Sequence, residues 1–214
     1  MRCCTGMKSM KIIGLSLCIS FAACQSPENS EQKTDSIVSV QSRADKIVDP
    51  RFLIVPGRSV GEISLGMDMA AVSVKLGRPD AGDAAMGKAW GIWYSNDSTV
   101  RSGNELAIYS SYRDTSMQVK DVKQIRITSS EFKTQDGFTT GRSESEAKLI
   151  FPLMVRISAY LNAQKDTVTV YDAKKDGIGF EFLKGKSIAL TVHPANRLVN
   201  ETYLTLHPEW KPIE

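Results

Sequence analysis

The sequence predicts an α+β fold made of two tandem units, each a short helix followed by a three- or four-stranded antiparallel sheet. Three observations predict it. A helix-start pattern occurs twice, Gly66-Met67-Asp68 opening one copy and Gly141-Arg142-Ser143 the other. Each copy precedes three short stretches rich in β-branched and aromatic residues, as half-buried strands should be. Glycine, asparagine and lysine clusters separate those stretches, which is hairpin chemistry.

The chain starts with a different kind of segment. Arg2, Lys8 and Lys11 precede the mostly apolar run Ile12 to Ala23, and no acidic residue occurs before Glu28. A basic start, a short apolar stretch and small residues before a cut describe a secretory signal, too short for a lasting bilayer span. All four cysteines, Cys3, Cys4, Cys18 and Cys24, lie in or just after this segment. Phe21-Ala22-Ala23-Cys24 resembles the lipobox of bacterial lipoproteins, with Phe21 where leucine, valine or isoleucine is usual. That resemblance implies a lipid thioether on Cys24, cleavage before it and acylation of the freed amine. A plain secretory signal cut near the same place is the alternative. Translation could start at Met1, Met7 or Met10, and from the later two neither Cys3 nor Cys4 is made.

Residues 1–23 thus read as a signal peptide, and they carry the whole formal charge of +3. The chain from Cys24 onward is formally neutral, which leaves no electrostatic footprint for nucleic acid. It has no pair of cysteines to form a disulfide, so it must be held by its core. Residues 24–50 are polar and charged, and read as the lipidated cysteine plus a tether of coil-like reach ~25–30 Å. Gln25 is not the aspartate that retains lipoproteins in the inner membrane of enteric bacteria, so the resemblance implies the outer membrane, facing the periplasm or the cell surface.

Residues 51–133 are expected to form the first unit and 134–214 the second. In the first, Asp68 can cap a helix that carries Val72 and Leu76 on one face and stops at Gly77 before Pro79. The strands are expected at Ala89–Ser95, Glu105–Ser110 and Val122–Ser129. In the second, Ser143 and Glu146 can form a capping box, and Pro152 interrupts the helix. Its strands are expected at Thr167–Ala173, Gly177–Leu183 and Ser187–His193, with Glu201–His207 as a further candidate.

The run Ile63 to Asp80 resembles the I-x-x-G-M-[ST]-x-x-x-V-x-x-x-L-G-x-P stretch of small outer-membrane assembly lipoproteins of the SmpA/OmlA type. Gly66, Met67, Val72, Leu76, Gly77 and Pro79 match, and Asp68 stands in place of the usual serine or threonine. Those proteins share an architecture with the β-lactamase-inhibitor protein, which carries the unit twice. The resemblance implies binding of another protein across the open sheet face. It assigns no contact residue, because nothing beyond the helix motif aligns.

Signals for catalysis are weak. Leu183 to Ser187 ends like a phosphate-binding loop, yet Phe180 stands where that motif needs glycine and a strand comes next instead of a helix. The two histidines, His193 and His207, supply too few ligands for a protein-built metal site, and no cofactor is expected. His193 lies opposite Ile188, Leu190 and Val192, which places it on an exposed face. In Ala89–Tyr94, Trp90, Ile92 and Tyr94 alternate with Trp93. Inward packing of the first set leaves Trp93 exposed, beside Tyr109, as a candidate recognition surface; a covered Trp93 in a plain core is the other reading. The expectation is therefore a lipid-anchored, non-catalytic envelope lipoprotein that binds an envelope protein. A small-ligand carrier or hydrolase with a pocket between the two sheets is the alternative.

Overall fold

Asp68 and Ser143 each start a helix by the chemistry their positions suggest. The Asp68 carboxylate accepts the Ala70 amide at 2.8 Å, and α1 (Met69–Leu76) follows. Ser143 and Glu146 cap one another reciprocally, and α2 (Glu144–Ile150) follows. In the computed structural model residues 48–95, 103–202 and 205–213 are described. The signal segment, Cys24 and nearly all of the expected tether lie outside them.

The strands in chain order begin with β1 (Leu53–Val55), β2 (Ser59–Val60) and β3 (Ile63–Ser64) before α1. Between the helices come β4 (Ala81–Ala85), β5 (Lys88–Tyr94), β6 (Glu105–Tyr112), β7 (Lys120–Ile127) and β8 (Lys133–Thr134). After α2 come β9 (Val155–Leu161), β10 (Thr167–Ala173), β11 (Ile178–Leu183), β12 (Lys186–Val192) and β13 (Lys211–Ile213). The residues at the start of the expected Glu201–His207 strand are not in one, and Tyr203 and Leu204 lie outside the described residues.

The expected α+β fold of two units with separate small sheets is not what the chain forms. The fold is mostly β. Nine strands make one antiparallel sheet in the order β13-β9-β10-β11-β12-β7-β6-β5-β4, and β3-β2-β1-β8 make a small mixed one. The contact that overturns the expectation is a seam in which Leu190, Thr191 and Val192 of β12 lie opposite Ile127, Arg126 and Ile125 of β7. The physical reason is burial. β7 and β12 carry buried side chains on both faces, so neither can serve as an open edge. The segments entering the helices dock on these same central strands: Gly66 donates to the Val122 carbonyl at 2.8 Å, and Gly141 to that of Ser187 at 2.7 Å.

One face of the large sheet is apolar. Ile108, Ile125, Ile127, Ile178, Phe180, Leu190 and Val192 pack there with Val72 and Ala147 of the helices. Ile54, Val60 and Ile63 of the small sheet belong to the same cluster, so the two sheets share one core. They also meet by main chain alone. Gly57, with φ 68°, donates to the Gly177 carbonyl at 3.0 Å, and a Cβ on Gly177 would stand 2.6 Å from the Gly57 Cα. No side chain fits between them.

Candidate functional site

Cross-strand partners share a face, so the register identifies what lies on the other side of the large sheet. One row runs Ile92, Ala107, Arg126, Thr191, Gly179, Asp172, and a second runs Trp90, Tyr109, Gln124. This outer face has a polar floor at its centre and an aromatic island at the β4–β5 end.

The floor is hydrogen-bonded throughout. Arg126 donates from Nε to Glu181 at 2.7 Å and from Nη1 to Glu105 at 3.0 Å. Burial works to raise the Glu181 carboxyl, but the Arg126 charge and its hydrogen bonds overcome it, leaving Glu181 below the ordinary carboxylate value. His193 Nε2 stands 3.0 Å from Asp172 Oδ1, and its Nδ1 is 3.1 Å from the Pro194 carbonyl. The second Asp172 oxygen accepts the Val199 amide at 3.0 Å.

These contacts hold the chain after β12 against the sheet. Val199 sits over Gly179, where a Cβ would come within 2.7 Å of it, and Gln124 donates to the Val199 carbonyl at 2.8 Å. Further on, Leu206 packs on the cluster of Trp90, Ala107 and Tyr109. His207 stacks on Trp210 with ring centroids 4.1 Å apart, and Trp210 lies 6.2 Å from Tyr160. β13 then pairs with β9. Burial first, then the neighbouring Arg126 charge, holds His207 below its ordinary value.

The sheet therefore ends in two different ways. At one end β9 is covered by β13, in which Pro212 lies opposite Tyr160 and offers no N–H. At the other end β4 pairs, among the described residues, with β5 alone. Beside β4, on the outer face, Ala81, Gly82, Asp83, Trp90, Ile92, Leu206 and neighbouring Thr205 and Pro208 enclose a groove of about 220 Å³.

The structure places the two sequence-based candidates on opposite faces of the large sheet. Trp93 and Tyr109 do not meet. Trp93 is partly buried against the main core, on the side of the sheet away from Tyr109, and its Nε1 donates to the Gly77 carbonyl at 3.4 Å. Tyr109 is 5 % exposed and lies against Trp90 at 5.1 Å. The alternation in β5 was legible; what no pattern signalled is that both faces are covered. His193 is a second correction. Its side is the outer face, as alternation requires, yet it is 0 % exposed because residues 194–202 lie over it. The groove residues of β4 escaped sequence reasoning, since Ala-Gly-Asp-Ala-Ala lacks strand propensity. Cys24 lies outside the described residues. Comparison of the chain with family models, with curated proteins and with solved structures gives no match.

Proposed function

We propose that the chain is a lipid-anchored, non-catalytic envelope lipoprotein that binds another protein through the β4–β5 end of its outer face. The observation that carries this reading is the apolar groove of Trp90, Ile92 and Leu206 beside a strand that no other described strand pairs with on its far side. Aromatic and aliphatic anchors in a small depression are what a protein contact uses. The alternative of a pocket between the two expected sheets finds less support, because those sheets are joined edge to edge through β7 and β12. His193 also suits a structural role: each ring nitrogen already has a neighbour, and a general base needs one free. The anchor on Cys24 and the outer-membrane location enter as part of the proposal, from the signal-peptide resemblance alone.

A photo-crosslinking residue at Ala81, in intact cells, tests the contact. We expect one envelope protein to be captured there and not from the same residue at Val74, which is 87 % exposed on α1. Capture should weaken in a Leu206→Asp variant. Equal capture from both positions, or none, counts against the reading. The anchor is tested separately: Cys24→Ala should release the protein from the membrane fraction, and retention without detergent would refute lipidation.

A further inference from the structure

Resting on that protein-binding reading, we propose that β4 receives an extended segment of the partner as an added strand. The segment would set a lysine or arginine opposite Asp83 and, two residues along on the same face, an apolar side chain in the groove.

The backbone of β4 is arranged for this. The Ala84 amide donates to its neighbour's carboxylate, Asp83 Oδ1, at 2.7 Å. An amide held by this carboxylate is not a rung to β5. The Asp83 side chain occupies the place of a missing strand's carbonyl, and an incoming strand would take over that bond and release the carboxylate.

Among the described residues the two ends of the sheet differ, and the β4 side is the one left open. Exposed edges are ordinarily blunted by charged side chains, above all lysine, by proline, by bulges or by a covering segment, and Asp83 is the one such charge in β4. The β9 end has a cover, β13, with Lys211 and Pro212 in it. β4 reads Ala-Gly-Asp-Ala-Ala, with four of its five positions exposed, and offers neither proline, lysine nor bulk.

Charge selects the occupant. A second copy pairing antiparallel about Asp83 would place two carboxylates directly opposite at roughly 4.5–5.5 Å, which is destabilising. A cationic side chain there is favourable. Asp83 is opposite Trp90, and Ala81 opposite Ile92, so Asp83 shares the groove's face. Strand periodicity then puts the partner's basic and apolar residues two apart.

The test uses the full-length protein, isotope-labelled, in detergent micelles, with capped heptapeptides that alternate valine with lysine or with glutamate. Addition of the lysine peptide should slow hydrogen exchange at Ala84 and shift Trp90 and Leu206. The glutamate peptide should do so more weakly. Ala84→Pro, which removes the outward donor, should weaken lysine-peptide binding by about ten-fold or more. Asp83→Lys leaves the backbone able to pair and should reverse the peptide preference, by up to about five-fold for a single cross-strand pair. Unchanged spectra over β9–β12 confirm that the variants fold.

A peptide that shifts only Trp90 and Leu206 and survives Ala84→Pro overturns strand addition while leaving groove binding intact. So does capture at Ala81 in cells that is insensitive to Ala84→Pro. A concentration-dependent dimer abolished by Ala84→Pro would overturn the heterologous occupant. Absence of both peptide effects and capture would bring down this proposal together with the protein-binding reading.

Discussion

The two ends of the nine-stranded sheet solve one problem in opposite ways. At β9 a returning segment crosses the polar floor, stacks His207 on Trp210 and lays down β13 with its proline. At β4 nothing among the described residues pairs on the far side, and a single carboxylate caps the Ala84 amide. The covered end is built from long-range contacts, and the open end from local ones. Covering an edge requires a whole segment to be held in place; leaving one open requires only that its side chains be small. That difference separates what stabilises this fold from what is free to engage a partner.

The largest expected effect breaks the covered side. Arg126→Met leaves Glu181 in a buried site without its cation, and removal of one partner of such a pair costs about 3–5 kcal/mol. Urea unfolding should read that loss, and proteolysis within 194–213 should accelerate. Trp210→Ala removes the His207 stack and the Tyr160 contact, for about 1–3 kcal/mol. Its signature is faster amide exchange in β9 with β4 unchanged; equal change at both ends would erase the distinction between them.

Acid should act on the same end. His207 is held below its ordinary value of 6.5 in the folded protein, so the unfolded chain binds the proton more readily. Its contribution is present above 6.5 and is lost as pH falls from there through the depressed folded value. Unfolding monitored across that window should show the loss, and a His207→Gln variant should flatten it. The smallest effect on stability belongs to Pro212→Val, within about 0.5 kcal/mol. That variant restores an N–H to the covering strand, and sedimentation should reveal self-association as concentration rises. If it stays monomeric, proline is not what blunts this end.

Local chemistry was legible in the sequence and long-range pairing was not. Asp68, Ser143 and Glu146 announced their caps because a cap is made within a few residues. The six stretches read as strands coincide with β5, β6, β7, β10, β11 and β12, displaced by a residue or two at their ends. β9 is not among the expected strands, although Val155, Ile157, Ala159 and Leu161 alternate in it. The β7–β12 seam had no such signal. It joins residues some sixty positions apart, and the same hydrophobic alternation would serve two separate sheets equally well. The site suffered for the same reason. Alternation assigns Trp93, Tyr109 and His193 to sides of their strands, but it does not show that Trp93 meets the main core on one face, or that Val199 and Leu206 return over the other.

The contact between Gly57 and Gly177 carries a consequence for how this molecule can change over time. Main chain touches main chain there, so the mutual alignment of the two sheets at that corner owes nothing to hydropathy. Substitution elsewhere can drift widely while the corner persists. At these two positions even one added methyl would wedge the layers apart. Such a joint is silent in composition and intolerant in practice, a hinge pin rather than a glue.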